Sequence, residues 1–360
     1  MTGTGRGGPR VAVVTQHRDA GGMSESVVRG FEALGVDVTL VRYGGLTREL
    51  RRYGGRASGL IYDVATEAVR PLSDALLVRE LARLKPDLAL FIKTDELTAA
   101  AYRAIKLVTK ARVAAFHPDD PFNTGRRVLL KRRGGPAHRR AGVQLRQADV
   151  YLTWSEDLVR RARAAGAREV HYVPFACDPE LHPRVEPSEV PDELKAEVVF
   201  IGTWDPDRER WLAALAALDG VDFALWGWSW DTHCKDPALL KAWRRRALMG
   251  REMSQAVAGG AVHVNILRAQ NKHAHNMRTF EIPCAGGFML HERSAEAAAL
   301  FPVGEACDDF ATPEELCVKV RRYLADPAAR ARIAEAGYRV ARSHTYTDWA
   351  ERVLTLTLGA

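Results

Sequence analysis

Two doubly wound α/β lobes are the fold class predicted by three features of this sequence. Short β-branched runs alternate with helical stretches through the first 175 residues, a proline-rich stretch interrupts them, and the alternation then restarts. At 360 residues the chain is long enough to give each lobe its own core. The predicted organisation is a first lobe over 1–175, a linker over 176–196, a second lobe over 197–342, and a helix in 343–360 packing back on the first lobe.

In the first lobe, 11–14, 38–41, 88–92, 113–116, 150–153 and 169–173 are short apolar runs without polar alternation, the pattern of parallel strands buried on both faces. Between them, 25–34, 73–84, 98–109 and 156–165 carry apolar residues at helical spacing. Pro174, Pro179, Pro183, Pro187 and Pro191 then exclude a helix interior or a central strand. Strands resume at 198–201, 223–226, 262–266 and 288–290. Thr312-Pro313-Glu314-Glu315 has the N-cap, N1 proline and N3 glutamate of a helix start. The final segment, 347–358, is amphipathic, with Trp349, Val353 and Leu356 as its predicted buried stripe. Two such lobes facing each other leave a cleft at the carboxyl ends of their strands, so function is sought in the strand-to-helix loops.

Composition removes several classes. No apolar run approaches the ~18 residues of a membrane span, and the first nine residues lack the apolar stretch of a secretory signal, so the expected setting is cytoplasmic. Five scattered cysteines without a C-x-x-C pair suggest neither a disulfide framework nor a thiolate zinc site. Lys and Arg outnumber Asp and Glu by 52 to 45, a balance that by itself assigns no partner.

Four segments carry candidate chemistry. After the first strand, His17 and the pair Gly21-Gly22 precede a helix, where close backbone approach and a helix N-terminus suit an anion; the spacing is neither a dinucleotide fingerprint nor a P-loop. After the fourth strand, His117-Pro118-Asp119-Asp120-Pro121-Phe122-Asn123 sets an imidazole, two carboxylates and an amide at a strand end, where burial and charge can tune acid/base behaviour. No further ligand stands at metal spacing, so no metal is expected. Over 126–146, Arg126, Arg127, Lys131, Arg132, Arg133, Arg139, Arg140 and Arg146 occur without an acid. A solvated face is the default for such a run, a peripheral membrane contact is open to it, and the lack of interleaved aromatics argues against nucleic acid. In the second lobe, Gly202 follows a strand and Arg208 opens the next helix, offering a planar donor fork to phosphate. Trp226, Trp228 and Trp230 follow another strand and suit either packing or stacking.

The most informative stretch is 271–290. Asn276 is a predicted N-cap and Gly286 the C′ stop of a two-turn helix bent by Pro283. Arg278 and Glu281 share one face, and the amides of Met277, Arg278 and Thr279 form a predicted diphosphate site, with Lys272 and His273 just before it. The segment Asn276-Met277-Arg278-Thr279-Phe280-Glu281-Ile282-Pro283-Cys284-Ala285-Gly286-Gly287-Phe288-Met289-Leu290 resembles the signature of CgeB-like (spore-maturation type) glycosyltransferases, related to group 1 glycosyl transferases. The likeness extends to Gly202, Arg208 and the stretch 148–178.

This resemblance implies the GT-B fold, two Rossmann-like doubly wound lobes facing a central cleft, and sugar transfer from a nucleotide diphospho-sugar to an acceptor hydroxyl or other nucleophile. It places the donor in the second lobe, on Gly202, Arg208, Lys272, His273, Asn276, Met277, Arg278, Thr279 and Glu281, with Glu281 on the ribose. In the glycogen-synthase-like group a second Glu stands eight residues earlier, where this chain has His273. The first lobe would bind the acceptor, with Gly21, Gly22, Asp120 and Asn123 on that side and His117, Asp119 and His17 as candidate catalytic groups. The donor is then a substrate, no cofactor or metal is required, and no nucleic acid is involved. The same architecture also suits a nucleotide-sugar epimerase or hydrolase, or a non-catalytic nucleotide-sugar binding protein.

Overall fold

The computed structural model describes residues 8–16, 22–44, 59–122 and 136–359, with backbone alone for 59–66 and 136–141. His17, Gly21, Asn123 and the basic residues Arg126, Arg127, Lys131, Arg132 and Arg133 lie outside the described residues, as do the side chains of Arg139 and Arg140. The chain divides into two compact units, Met1–Pro174 with Thr347–Ala360, and Phe175–Tyr346.

The first unit is built on β1 (Arg10–Thr15), α1 (Met23–Ala33), β2 (Asp37–Arg42), α2 (Gly59–Leu84), β3 (Leu88–Ile92), α3 (Ala99–Thr109), β4 (Arg112–Phe116), α4 (Pro136–Gln147), β5 (Val150–Thr153), α5 (Glu156–Ala164) and β6 (Val170–Tyr172). All paired strands are parallel, in the order β2-β1-β3-β4-β5-β6. β3 and β5 are buried at every residue, the physical basis of their unbroken apolar sequence. Helix α2 starts 14 residues before the predicted 73, because Pro71, which marks a helix break in sequence, is carried inside the helix.

The second unit runs β7 (Ala196–Ile201), α6 (Pro206–Ala216), β8 (Phe223–Trp226), α7 (Trp230–His233), α8 (Pro237–Ala242), α9 (Gly250–Ala258), β9 (Gly260–Asn265), α10 (Arg278–Cys284), β10 (Met289–Glu292), α11 (Ala295–Leu300), β11 (Asp308–Phe310), α12 (Pro313–Ala325) and α13 (Pro327–Arg342). Its parallel sheet has the order β11-β10-β9-β7-β8. The proline-rich stretch belongs to this unit and buries Val185, Val190 and Leu194 in it. Thr312 caps α12 by accepting from the Glu315 amide at 3.1 Å. Helix α14 (Tyr346–Leu358) counts from Thr347 with the first unit, where Trp349 packs edge-on against Phe116 and Arg352 donates to the Tyr172 carbonyl. Its buried stripe is Trp349, Ala350, Val353 and Leu354; Leu356 is only half-buried, one position off the inward face. Among the described residues no helix is long and apolar enough to cross a membrane.

One backbone contact controls the loop geometry of the second sheet. Gly202, after β7, donates to the Trp226 carbonyl at 2.9 Å, and Gly227, after β8, sits at φ +147 with its missing Cβ only 1.9 Å from the Gly202 oxygen. A side chain there would force the two strand ends apart. Gly227→Ala is therefore expected to lower unfolding free energy by about 3 kcal/mol, the upper range for overpacking, in urea denaturation; a loss below the ordinary surface range would contradict the contact.

Candidate active site

The carboxyl ends of β7, β9 and β10 gather a set of charged side chains. Asp205 caps α6 through the Asp207 amide, which starts the helix so that Arg208, on its first turn, turns inward. The Arg208 side chain is 7% exposed and donates from Nε and Nη2 to the Ile266 carbonyl and from Nη1 to the Thr203 carbonyl, at 2.9 to 3.1 Å. Among the described residues no carboxylate pairs with it. Burial first, then repulsion from Arg268 and Arg278, hold its guanidinium down at about 10, with Asp205 and Glu292 opposing. Arg268 approaches Asp205 at 3.7 Å, Lys272 pairs with Glu292, and Arg278 pairs with Glu281 while its Nε donates to the Ile201 carbonyl. Four cations thus face three carboxylates, leaving one net positive charge in a partly desolvated setting.

Beneath them lies a buried polar network. Asn265 and Asn276 exchange amide hydrogen bonds at 3.0 and 3.1 Å. His291 is buried, its imidazole pushed down to about 4 by desolvation, and its Nδ1 faces the Glu292 carbonyl. A carbonyl can only accept, so Nδ1 carries the proton and Nε2 accepts from the Thr279 hydroxyl at 2.9 Å. The Thr279 oxygen is then free to accept from the Asn276 amide. Asn276 performs the cap predicted for it, accepting the Thr279 N–H at 3.1 Å, although the helix proper begins at Arg278. The Thr279 amide is consequently spent inside the chain and is not available to a diphosphate. At the other end, Gly286 at φ +85 donates to Pro283 and Gly287 to Ile282, a Schellman stop. His273 is exposed in the left-handed region, whereas His275 is buried with Nε2 accepting from the Phe175 amide.

A second cluster stands at the carboxyl ends of β3 and β4 in the first unit. His117 is 5% exposed; Nε2 meets Asp95 Oδ1 at 2.8 Å and Nδ1 meets the Asp119 carbonyl at 2.7 Å. Burial alone would lower the imidazole, but the Asp95 carboxylate, with Asp119 behind it, holds it above its ordinary value. The Asp119 carboxylate turns instead to Lys93 at 2.6 Å, and Lys93 itself is left-handed at φ 50. Asp120 pairs with Arg161 and accepts the Phe122 amide, closing the turn. Gly22 precedes α1, with its carbonyl accepting from Glu25. Among the described residues, no three His, Cys, Asp or Glu side chains converge as a metal site.

Residues 208–355 match the profile of a family described as glycosyl transferase-like. The matched stretch is less than half of the chain and lies almost wholly in the second unit. The fold of the chain is that of solved GT-B enzymes, two Rossmann-like lobes with parallel sheets. Sucrose-phosphate synthase from Thermosynechococcus elongatus is similar at 13% identity and TM-score 0.66, covering 98% of each chain. Anabaena HepE, solved with UDP and glucose, is similar at 12% identity and TM-score 0.67, covering 98% of this chain and 100% of its own. A trehalose-6-phosphate protein from E. coli bound with UDP-2-fluoro glucose is similar at 13% identity and TM-score 0.64, covering 97% and 99%. No curated protein matches the chain by sequence.

Gly202, Arg208, Lys272, Asn276, Met277, Arg278, Thr279 and Glu281 come together within the second unit. Sequence reasoning missed Asn265, His291, Glu292, Arg268 and, in the first unit, Asp95 and Lys93. Asp95 sits three residues beyond the strand end at Ile92, in a strand-end loop like the one that singled out His117, so that signal was present. His291 and Glu292 lie inside an apolar strand pattern and gave none. Since His117 is held above its ordinary value in the folded chain, its imidazolium stabilises the fold fully below pH 6.5, and that contribution is lost as pH rises through the folded value. NMR titration is expected to give His117 a midpoint above 6.5, moved downward by Asp95→Asn; a midpoint at or below 6.5 would contradict the pair.

Proposed function

We propose that the chain is a glycosyltransferase that takes its sugar from a nucleotide diphospho-sugar held in the second unit, without a cofactor or a metal. The observation that carries this reading is Arg208: a buried guanidinium with backbone carbonyls for partners, repelled by Arg268 and Arg278. Such a site is relieved by an anion, and a diphosphate is the anion of sugar donors. The solved neighbours bound to UDP, UDP-glucose or UDP-2-fluoro glucose support the same reading. The CgeB-like signature over 276–290 supports placing the chain in that branch. Five cysteines present as thiols fit a cytosolic setting.

In transfer, the bond from the anomeric carbon to the diphosphate breaks and a bond to the acceptor nucleophile forms. Negative charge grows on the leaving diphosphate, where Arg208, Arg278 and Lys272 offset it. Glu281, 4% exposed and paired with Arg278, would accept the ribose hydroxyls, as the family resemblance implies. Released by a diphosphate, Lys272 would exchange Glu292 for phosphate oxygen. The first unit's own candidates for taking the acceptor proton are in the His117 cluster. Both imidazole nitrogens already have partners, so the proton-accepting lone pairs there belong to Asp95 and Asp119, with His117 fixing the Asp95 carboxylate.

Three outcomes test this. Glu281→Ala is expected to weaken nucleotide binding by about 1.5 to 3 kcal/mol, the worth of hydrogen bonds to a charged group; calorimetry showing unchanged affinity removes Glu281 from the donor site. Activity is expected to survive EDTA, and loss rescued by manganese would overturn the metal-free reading. His117→Ala and Asp95→Asn are each expected to lower kcat by about 10² to 10⁴ with donor Kd nearly unchanged; near wild-type turnover in both would take the first-unit cluster out of the chemistry.

A further inference from the structure

We propose that the outer face of α2 and α3 docks on an anionic lipid bilayer. The two helices pack side by side in the first unit, and their solvent side is unusual in two independent ways. First, it holds four of the nine large hydrophobic side chains exposed among the described residues: Leu72 at 56%, Leu76 at 49%, Leu107 at 68% and Val108 at 48%. Second, Arg79, Arg83, Lys85, Arg103 and Lys110 are exposed on the same stretches, and among the described residues none of the five forms an ion pair. Exposed arginines elsewhere are commonly paired, as in Arg160 with Asp157, Arg246 with Glu252, Arg251 with Glu189 and Arg293 with Asp309.

Acids are few on this face, and those near it are paired or partly buried. Helix α3 has none. Between 72 and 85, Asp74 is buried and taken by Tyr43 and Thr98, which leaves Glu80, half-buried. The two helix ends meet at one groove of about 650 Å³, lined by Lys85, Val108 and Lys110 together with Arg10, Asp87 and Arg112, where Asp87 is held by Arg10 and Arg112 pairs with Glu169. Lys85 and Lys110 both occupy the left-handed region at these helix ends, φ 47 and φ 60, a place that glycine fills with less strain. A cation is thus kept where the backbone favours another residue.

Isolated aliphatic side chains set among long unpaired cations match the boundary of an anionic bilayer, where the aliphatic groups enter the headgroup layer and the cations meet lipid phosphates. A protein partner would call for an exposed aromatic anchor, and among the described residues this face shows none. None of the residues named here belongs to the basic run at 126–146, and the proposal does not depend on the sugar-transfer reading.

The test is sedimentation of the full chain with phosphatidylcholine vesicles, with and without phosphatidylglycerol. Partition to the anionic vesicles alone is expected, weakening as salt is raised. The Lys85→Glu/Lys110→Glu variant is expected to lose about tenfold or more in partition coefficient. Leu107→Ser/Val108→Ser is expected to lose partition as well, with melting temperature unchanged because both side chains are exposed. Absence of partition, equal partition to phosphatidylcholine, or wild-type partition of both variants would overturn the proposal. So would a dimer in light scattering that the serine variant dissociates, which would make the face a contact between copies of the chain.

Discussion

The buried charge of Arg208 is the constraint around which the second unit is arranged. A guanidinium removed from water is costly unless its donors are satisfied, and here the carbonyls of Ile266 and Thr203 satisfy them without cancelling the charge. A carboxylate in their place would have stabilised the resting protein and closed the site to anions. Carbonyl partners instead keep the cation in place and leave its field uncompensated. The requirement fixes several neighbours: Asp205 must start α6 so that Arg208 faces inward, Gly202 must lack a side chain beside Nη1 at 3.2 Å, and β9 must end so that the Ile266 oxygen points back.

The polar network under α10 has a related purpose. A helix of seven residues with an internal proline has little stability of its own. Asn276, Thr279 and His291 hold its first turn, and the Schellman stop at Gly286 and Gly287 holds its last. His291 kept neutral by burial is what lets Thr279 donate in a single direction, so the hydrogen bonds around Asn265 and Asn276 have one consistent arrangement. Glu281 rides on this fixed helix with its carboxylate against Arg278, and its position therefore depends on groups outside its own turn.

The first unit solves an opposite electrostatic problem. Around His117, the carboxylates of Asp95 and Asp119 face an imidazole held above its ordinary value and the Lys93 ammonium, so each acceptor oxygen at the strand ends has a partner that offsets it. The second unit thus keeps an excess of cation at its strand ends, and the first keeps carboxylate oxygens at its own.

The sequence by itself determined the α/β class and most of the strands, though not β11, whose run from Asp308 to Phe310 opens on two acids. Strands such as 88–92, 150–153 and 223–226 are legible to the residue because a strand buried on both faces admits almost nothing polar. The caps at Thr312 and Asn276 and the stop at Gly286 were legible because short-range geometry demands those residue types. What α2 does at Pro71 was not, since tertiary packing overrides a local break. Only the tertiary structure decided which groups pair. Asp119 met Lys93 and left His117 to Asp95, Lys272 met Glu292, and the Thr279 amide was taken by Asn276. Those pairings join residues from different strand ends, and their energies depend on burial and distance, which a linear pattern of residue types does not contain.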